Sequence, residues 1–153
     1  SPFFGDVDTR STGSGVVHYL LTSDQLVVTW DNVGYYSQNS SLTNSFQMVL
    51  RADGYATPVG EGVIGFFYQI MGWERTDTST TAAVGFGDGQ GNDVVIEGSN
   101  AAGMASAMNN RYIWFNANLT PVDNNVPEPG SLALVAVAIL ALTATAKKRR
   151  KSA

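Results

Sequence analysis

A chain of 153 residues has room for one domain with a hydrophobic core of its own, and with no cysteine it can hold no disulfide framework, thiolate metal site or cysteine nucleophile. Its net charge of −4 is unevenly spread: residues 1–146 set four arginines against all thirteen acids, a net −9, while Lys147, Lys148, Arg149, Arg150 and Lys151 form a single block. The acidic, lysine-free body lacks the distributed cations that neutralise phosphates, which excludes nucleic acid as a partner.

The chain begins at Ser1, so we expect a fragment or processed product, truncated at its N-terminus, with any signal peptide lying upstream. Val16 to Leu21 and Gln25 to Trp30 read as strands around the turn Thr22-Ser23-Asp24. A polar loop is expected from Ser37 to Asn44. In the next run, Phe46, Met48 and Leu50 share one face while Gln47, Val49 and Arg51 share the other. Asp53-Gly54 is a strong hairpin signal, and Val63 to Met71 is an apolar, aromatic-rich strand. Ala82 to Phe86 and Asp93 to Glu97 pair across the glycine-rich residues 87–92, and Tyr112 to Phe115 closes the series. Only Ala101 to Met108 suits a short helix, weakened by Gly103. Strands at this spacing predict an all-β, antiparallel sandwich-like domain over residues 1–120. Its core should include Trp30, Phe46, Met48, Phe66, Tyr68 and Phe115.

Residues 121–130 form a polar linker containing Pro127-Glu128-Pro129, and an uncharged apolar run follows from Leu132 to Ala146. Counted from Gly130, that run reaches the lower limit for a helix crossing a hydrocarbon core of about 30 Å. Each basic residue carried to the bilayer centre costs about 2.5–3.5 kcal/mol, so the block at 147–151 should stay cytoplasmic and the body outside. The expected division is therefore a transmembrane helix over 131–146 and a basic cytoplasmic tail over 147–153. A buried core helix with a solvated basic end is the alternative, although the run shows no polar face.

The order Pro127-Glu128-Pro129, apolar helix, basic block resembles the PEP-CTERM sorting signal of Gram-negative bacteria across residues 126–151. The resemblance implies an exosortase-type processing enzyme as partner, with Pro127, Glu128 and Pro129 as its recognition residues. It also implies removal of the membrane segment and a link to extracellular polymeric material. Two prolines would keep the site extended and accessible.

The strings Asp6-Val7-Asp8-Thr9-Arg10, Thr29-Trp30-Asp31-Asn32-Val33-Gly34-Tyr35 and Asn44-Ser45-Phe46-Gln47 occur in the order typical of the nidogen-like (NIDO) extracellular domain, which the chain resembles over about residues 2–115. That resemblance implies a matrix or adhesion protein and assigns no catalytic residues.

Asp6 and Asp8, at i and i+2, could place two oxygen ligands for Ca²⁺ on one side of a strand. Pairing one of them with Arg10 accounts for them equally well. Asp88 and Asp93 lie in a segment resembling one Ca²⁺-binding nonapeptide, yet a single copy cannot build stacked half-sites, and a hairpin loop explains it. We expect no cofactor beyond at most one weak Ca²⁺. His18 alone assembles no Ser-His-Asp set. Glu61 with Glu74 or Asp88 could form a hydrolase pair, but spacing brings none together. Trp30, Trp73 and Trp114 could stack on sugars or pack the core. The reading is a non-enzymatic surface or matrix binding module whose ligand is an extracellular polysaccharide or matrix protein. A polysaccharide hydrolase and a purely structural matrix component are the alternatives.

Overall fold

Short runs of β-branched and aromatic residues, broken by Gly, Ser, Asn and Asp, favour strands joined by turns. The computed structural model describes residues 1–75, 81–87, 90–91 and 93–122. The expected transmembrane helix, the basic block and the Pro-Glu-Pro motif lie outside the described residues, as does Asp88. Among the described residues no helix is long and apolar enough to cross a membrane.

Residues Ser1–Val122 form one compact unit. Its elements are β1 (Val7–Asp8), β2 (Val17–Leu21), β3 (Gln25–Tyr35), β4 (Asn39–Arg51), β5 (Ile64–Met71), β6 (Gly85–Gly87), β7 (Asp93–Val95), α1 (Met104–Met108) and β8 (Tyr112–Phe115). All pairings are antiparallel. The main sheet runs β3-β4-β5-β8, and β1 and β2 share the outer edge of β3. β6 and β7 make a separate two-stranded ribbon.

The register aligns Trp30, Phe46 and Tyr68, then Val28, Met48, Phe66 and Ile113, then Leu26, Leu50, Ile64 and Phe115. These residues form the inward face. Phe46, Phe66, Tyr68 and Phe115 are buried, and Trp30 and Met48 pack half-buried against them. Trp30 stacks on Phe46 with ring centroids 4.8 Å apart and planes 15° from parallel.

The layer over this face is not a second large sheet among the described residues. It is assembled from Phe3, Trp73, Ala82, Val84, Phe86, Ile96 and the three buried residues of α1, Met104, Ala105 and Met108. Tyr68 Oη donates to the Pro2 carbonyl at 2.7 Å and ties the sheet to the N-terminal segment. Glu74 accepts from the Gly103 and Ala105 N–H groups, both at 2.8 Å, and so holds the start of α1.

Two expectations are corrected. The loop placed at Ser37 to Asn44 is mostly strand, since β4 begins at Asn39. The chain reverses through Ser37 and Gln38, both left-handed at φ 65° and 60°, in place of the Asn-Gly that normally marks such a turn. Asp53-Gly54 does form a tight turn, with Tyr55 N–H bonded to the Ala52 carbonyl and Gly54 at φ 80°. It does not join paired strands directly, because β5 starts only at Ile64.

Candidate functional site

Alternation puts Thr29, Gln47, Phe67 and Tyr112 on the sheet's outward face, and the register places them side by side across four strands. Half of this face is covered. Trp114 lies over Gly65, where an added Cβ would come within 2.5 Å of the indole. The Arg51 guanidinium sits between the Trp114 and Tyr55 rings, 4.4 and 4.6 Å from their centroids. It is ion-paired with Glu61 and bonded to the Gly62 carbonyl at 2.9 Å. This cation–π clamp fastens the 52–62 connection over the β5–β8 end of the face.

Where that cover stops, the face opens into a groove of about 400 Å³. Phe67 is braced edge-on by Trp114 (5.1 Å, 88°) and stacks on Tyr112 (6.0 Å, 21°). Tyr112 is 53% exposed. Gln47 Nε2 donates to Thr29 Oγ1 at 2.8 Å, which leaves the amide oxygen as an acceptor. Asp31, Gln69 and Arg111 also line the groove and are exposed. No hydrogen bond or ion pair engages the side chains of Gln69, Arg111 or Tyr112 among the described residues.

The residues singled out from sequence fall elsewhere. Asp8 is buried, and both its carboxylate oxygens are committed. Oδ1 accepts from Arg10 N–H at 3.0 Å and Nε at 2.8 Å; Oδ2 accepts from Arg10 Nη2 at 2.6 Å and Gln38 N–H at 3.0 Å. The Arg10 side-chain bond, followed by its backbone N–H, holds this carboxyl well below the usual carboxylate range. Asp8 thus pins β1 to the β3–β4 turn. Asp6 is exposed and contributes its backbone carbonyl to Tyr36 N–H. Asp93 is exposed at the start of β7, paired in register with Gly87. Among the described residues no three His, Asp or Glu side chains gather as a metal site.

His18 is exposed on β2. The carboxylates considered for hydrolysis are engaged structurally, Glu61 with Arg51 and Glu74 with α1. Trp73 and Trp114 are buried at 4% exposure each, and Trp73 Nε1 donates to the Val33 carbonyl at 3.1 Å. The tryptophans pack; the exposed aromatic that lines the groove is Tyr112.

The model of the nidogen-like domain matches residues 21–121. The chain belongs to the nidogen-like domain family. A second model, the PEP-CTERM protein-sorting motif, matches residues 125–150. No curated protein and no solved structure matches the chain. All four strands of the groove, from β3 to β8, fall within the nidogen-like segment, whereas Asp8 and Arg10 precede it. With this domain ahead of a sorting signal recognised by exosortase, the protein is exported, held transiently in the membrane, and then placed at the cell surface. The groove residues escaped the sequence reading because Gln47, Phe67 and Tyr112 look unremarkable singly, and only strand register aligns them.

Proposed function

We propose that this nidogen-like domain is a non-enzymatic binding module, displayed at the cell surface or in the extracellular matrix once its C-terminal signal has been processed. The observation that carries the reading is the open groove on a domain delivered by a sorting signal. Glu61 and Glu74 are tied into structural bonds, which favours binding over hydrolysis. The ligand belongs to the extracellular polymer, as polysaccharide or matrix protein, and the domain needs no resident cofactor beyond at most one weak Ca²⁺. In the precursor, residues 131–146 span the membrane as a helix and the block at 147–151 stays cytoplasmic.

Retention tests this reading. In the native host, the chain is compared with an inert secreted β domain carrying the same residues 123–153, and matrix is washed under identical conditions. The nidogen-like chain should stay with the matrix while the control washes out. Equal loss of both would mean that the body binds nothing there.

A further inference from the structure

We propose that the groove across β3, β4, β5 and β8 is a binding site for a neutral oligosaccharide, an assignment that rests on the binding-module reading above. The argument begins with shape. Thr29, Gln47, Phe67 and Tyr112 stand in one cross-strand row, and at about 4.8 Å between strands the row is about 14 Å long. An extended chain lying across the strands fits such a trough better than a compact metabolite does. Its open geometry on the sheet surface suits an internal stretch of a polymer.

The lining supplies the two kinds of contact a pyranose ring needs. A sugar ring presents an apolar C–H face and a rim of hydroxyls that both donate and accept. Tyr112 offers an exposed aromatic face, held in place by stacking on Phe67, which Trp114 braces in turn. Planar polar groups line the rest of the groove: the Gln47 amide oxygen, the Gln69 amide, the Arg111 guanidinium and the Asp31 carboxylate, whose Oδ1 accepts from Asn32 Nδ2 at 2.9 Å. Between them they present acceptors and donors, and among the described residues no hydrogen bond or ion pair engages the Gln69 or Arg111 side chain. The Gln47–Thr29 bond fixes one of these groups before any ligand arrives, so little ordering is needed on binding.

Charge decides between neutral and acidic glycans. One carboxylate and one guanidinium line the groove, and they sit on a body with a net −9 over residues 1–146. A polyanion would be repelled at long range and would meet a single cation. A polypeptide strand would seek unpaired backbone groups at a sheet edge, which this groove reaches only at β8, since β3, β4 and β5 are paired on both sides.

The experiment uses the full chain in a detergent without a sugar headgroup, titrated by calorimetry with cellotetraose, maltotetraose and mannotetraose, with tetragalacturonate as the acidic counterpart. At least one neutral tetrasaccharide should bind. Tyr112→Ala, at a half-exposed position, should weaken that binding by about tenfold or more, and Asp31→Ala should weaken it as well. Tyr19→Ala, an exposed aromatic on β2, should leave it unchanged. Circular dichroism of each variant separates lost binding from lost fold. Binding to tetragalacturonate alone, no binding to any of the four, or indifference to both groove variants would overturn the assignment. Matrix retention of Tyr112→Ala and Asp31→Ala distinguishes the two readings. If both are retained as fully as the wild-type chain, the module binds elsewhere; if the wild-type chain itself washes out, the binding-module reading has failed first.

Discussion

The carboxamide of Asn44 engages both backbone polar groups of Trp73: Oδ1 accepts the Trp73 N–H at 3.0 Å, and Nδ2 donates to the Trp73 carbonyl at 2.9 Å. The same oxygen takes the Gly72 N–H at 2.8 Å, and the residue is fully buried. Asn44 thereby stitches β4 to the chain leaving β5 and fixes Trp73 in the core. Asn44→Ala should cost roughly 3 kcal/mol, since it strands buried backbone groups without partners. Asn44→Asp should do no better, because it keeps the acceptor, loses the donor and buries a charge. Denaturant unfolding at neutral pH reads both; an Asn44→Ala variant within 1 kcal/mol of the parent, on the order of one ordinary hydrogen bond, would show that the stitch is dispensable.

Acidification should loosen the domain through Asp8. Its folded-state pKa is depressed, first by the Arg10 side chain. The sign follows from linkage: a depressed carboxylate stabilises the fold above its unfolded pKa of about 3.9, and that contribution is lost as pH falls toward the folded value. The thermal midpoint should fall between about pH 5 and pH 3, and Asp8→Asn should flatten that part of the profile while lowering the midpoint at neutral pH. An unchanged profile in Asp8→Asn would assign the acid sensitivity to other carboxylates.

Two changes to the sheet probe its opposite faces. Phe66, at 1% exposure, should cost about 3–5 kcal/mol when truncated to alanine. Gly65→Ala pushes a methyl into the rigid Trp114 indole, and overpacking of that kind costs about 1–3 kcal/mol. Because Trp114 braces Phe67, Gly65→Ala should also weaken ligand binding in the groove. Tryptophan fluorescence and unfolding curves measured together separate the two effects.

Processing should remove the tail. The mature protein in its native host is expected to end near Pro129, without residues 132–153, and Glu128→Ala or Pro129→Ala should leave an unprocessed precursor in the inner membrane. Intact-mass spectrometry of surface-extracted protein checks this. A mature species still carrying Lys147 to Lys151 would make the segment a permanent anchor.

Much of the architecture could be read from residue order, because alternation declares itself locally. Phe46, Met48 and Leu50 on one face against Gln47, Val49 and Arg51 on the other predicted the two sides of β4, and both sides are as described. The Asp8–Arg10 pairing was one of two readings of the acidic string, and the two side chains are ion-paired. What stayed hidden depends on register and on unusual backbone. Ser37 and Gln38 carry no turn signature, so the first half of β4 looked like loop. Its Asn, Ser and Thr residues also lack the apolar rhythm that marks a strand. Alternation puts Arg51 on the face of Gln47 and Val49 but does not tell its burial, and its side chain is 8% exposed between two aromatic rings. The groove required four strands to be set in line, which no single segment records.

The placement of β8 bears on when the domain can become native. Tyr112–Phe115 pairs with β5 from some fifty residues upstream and supplies Phe115, which is completely buried. Chain that crosses a membrane from its N-terminus therefore emerges without the strand that closes its core. Contacts this distant in sequence also form slowly. Closure becomes available only when residue 115 is outside, and the matched sorting motif begins at residue 125. That motif starts ten positions after Phe115, so the core can close only as the motif itself is reached.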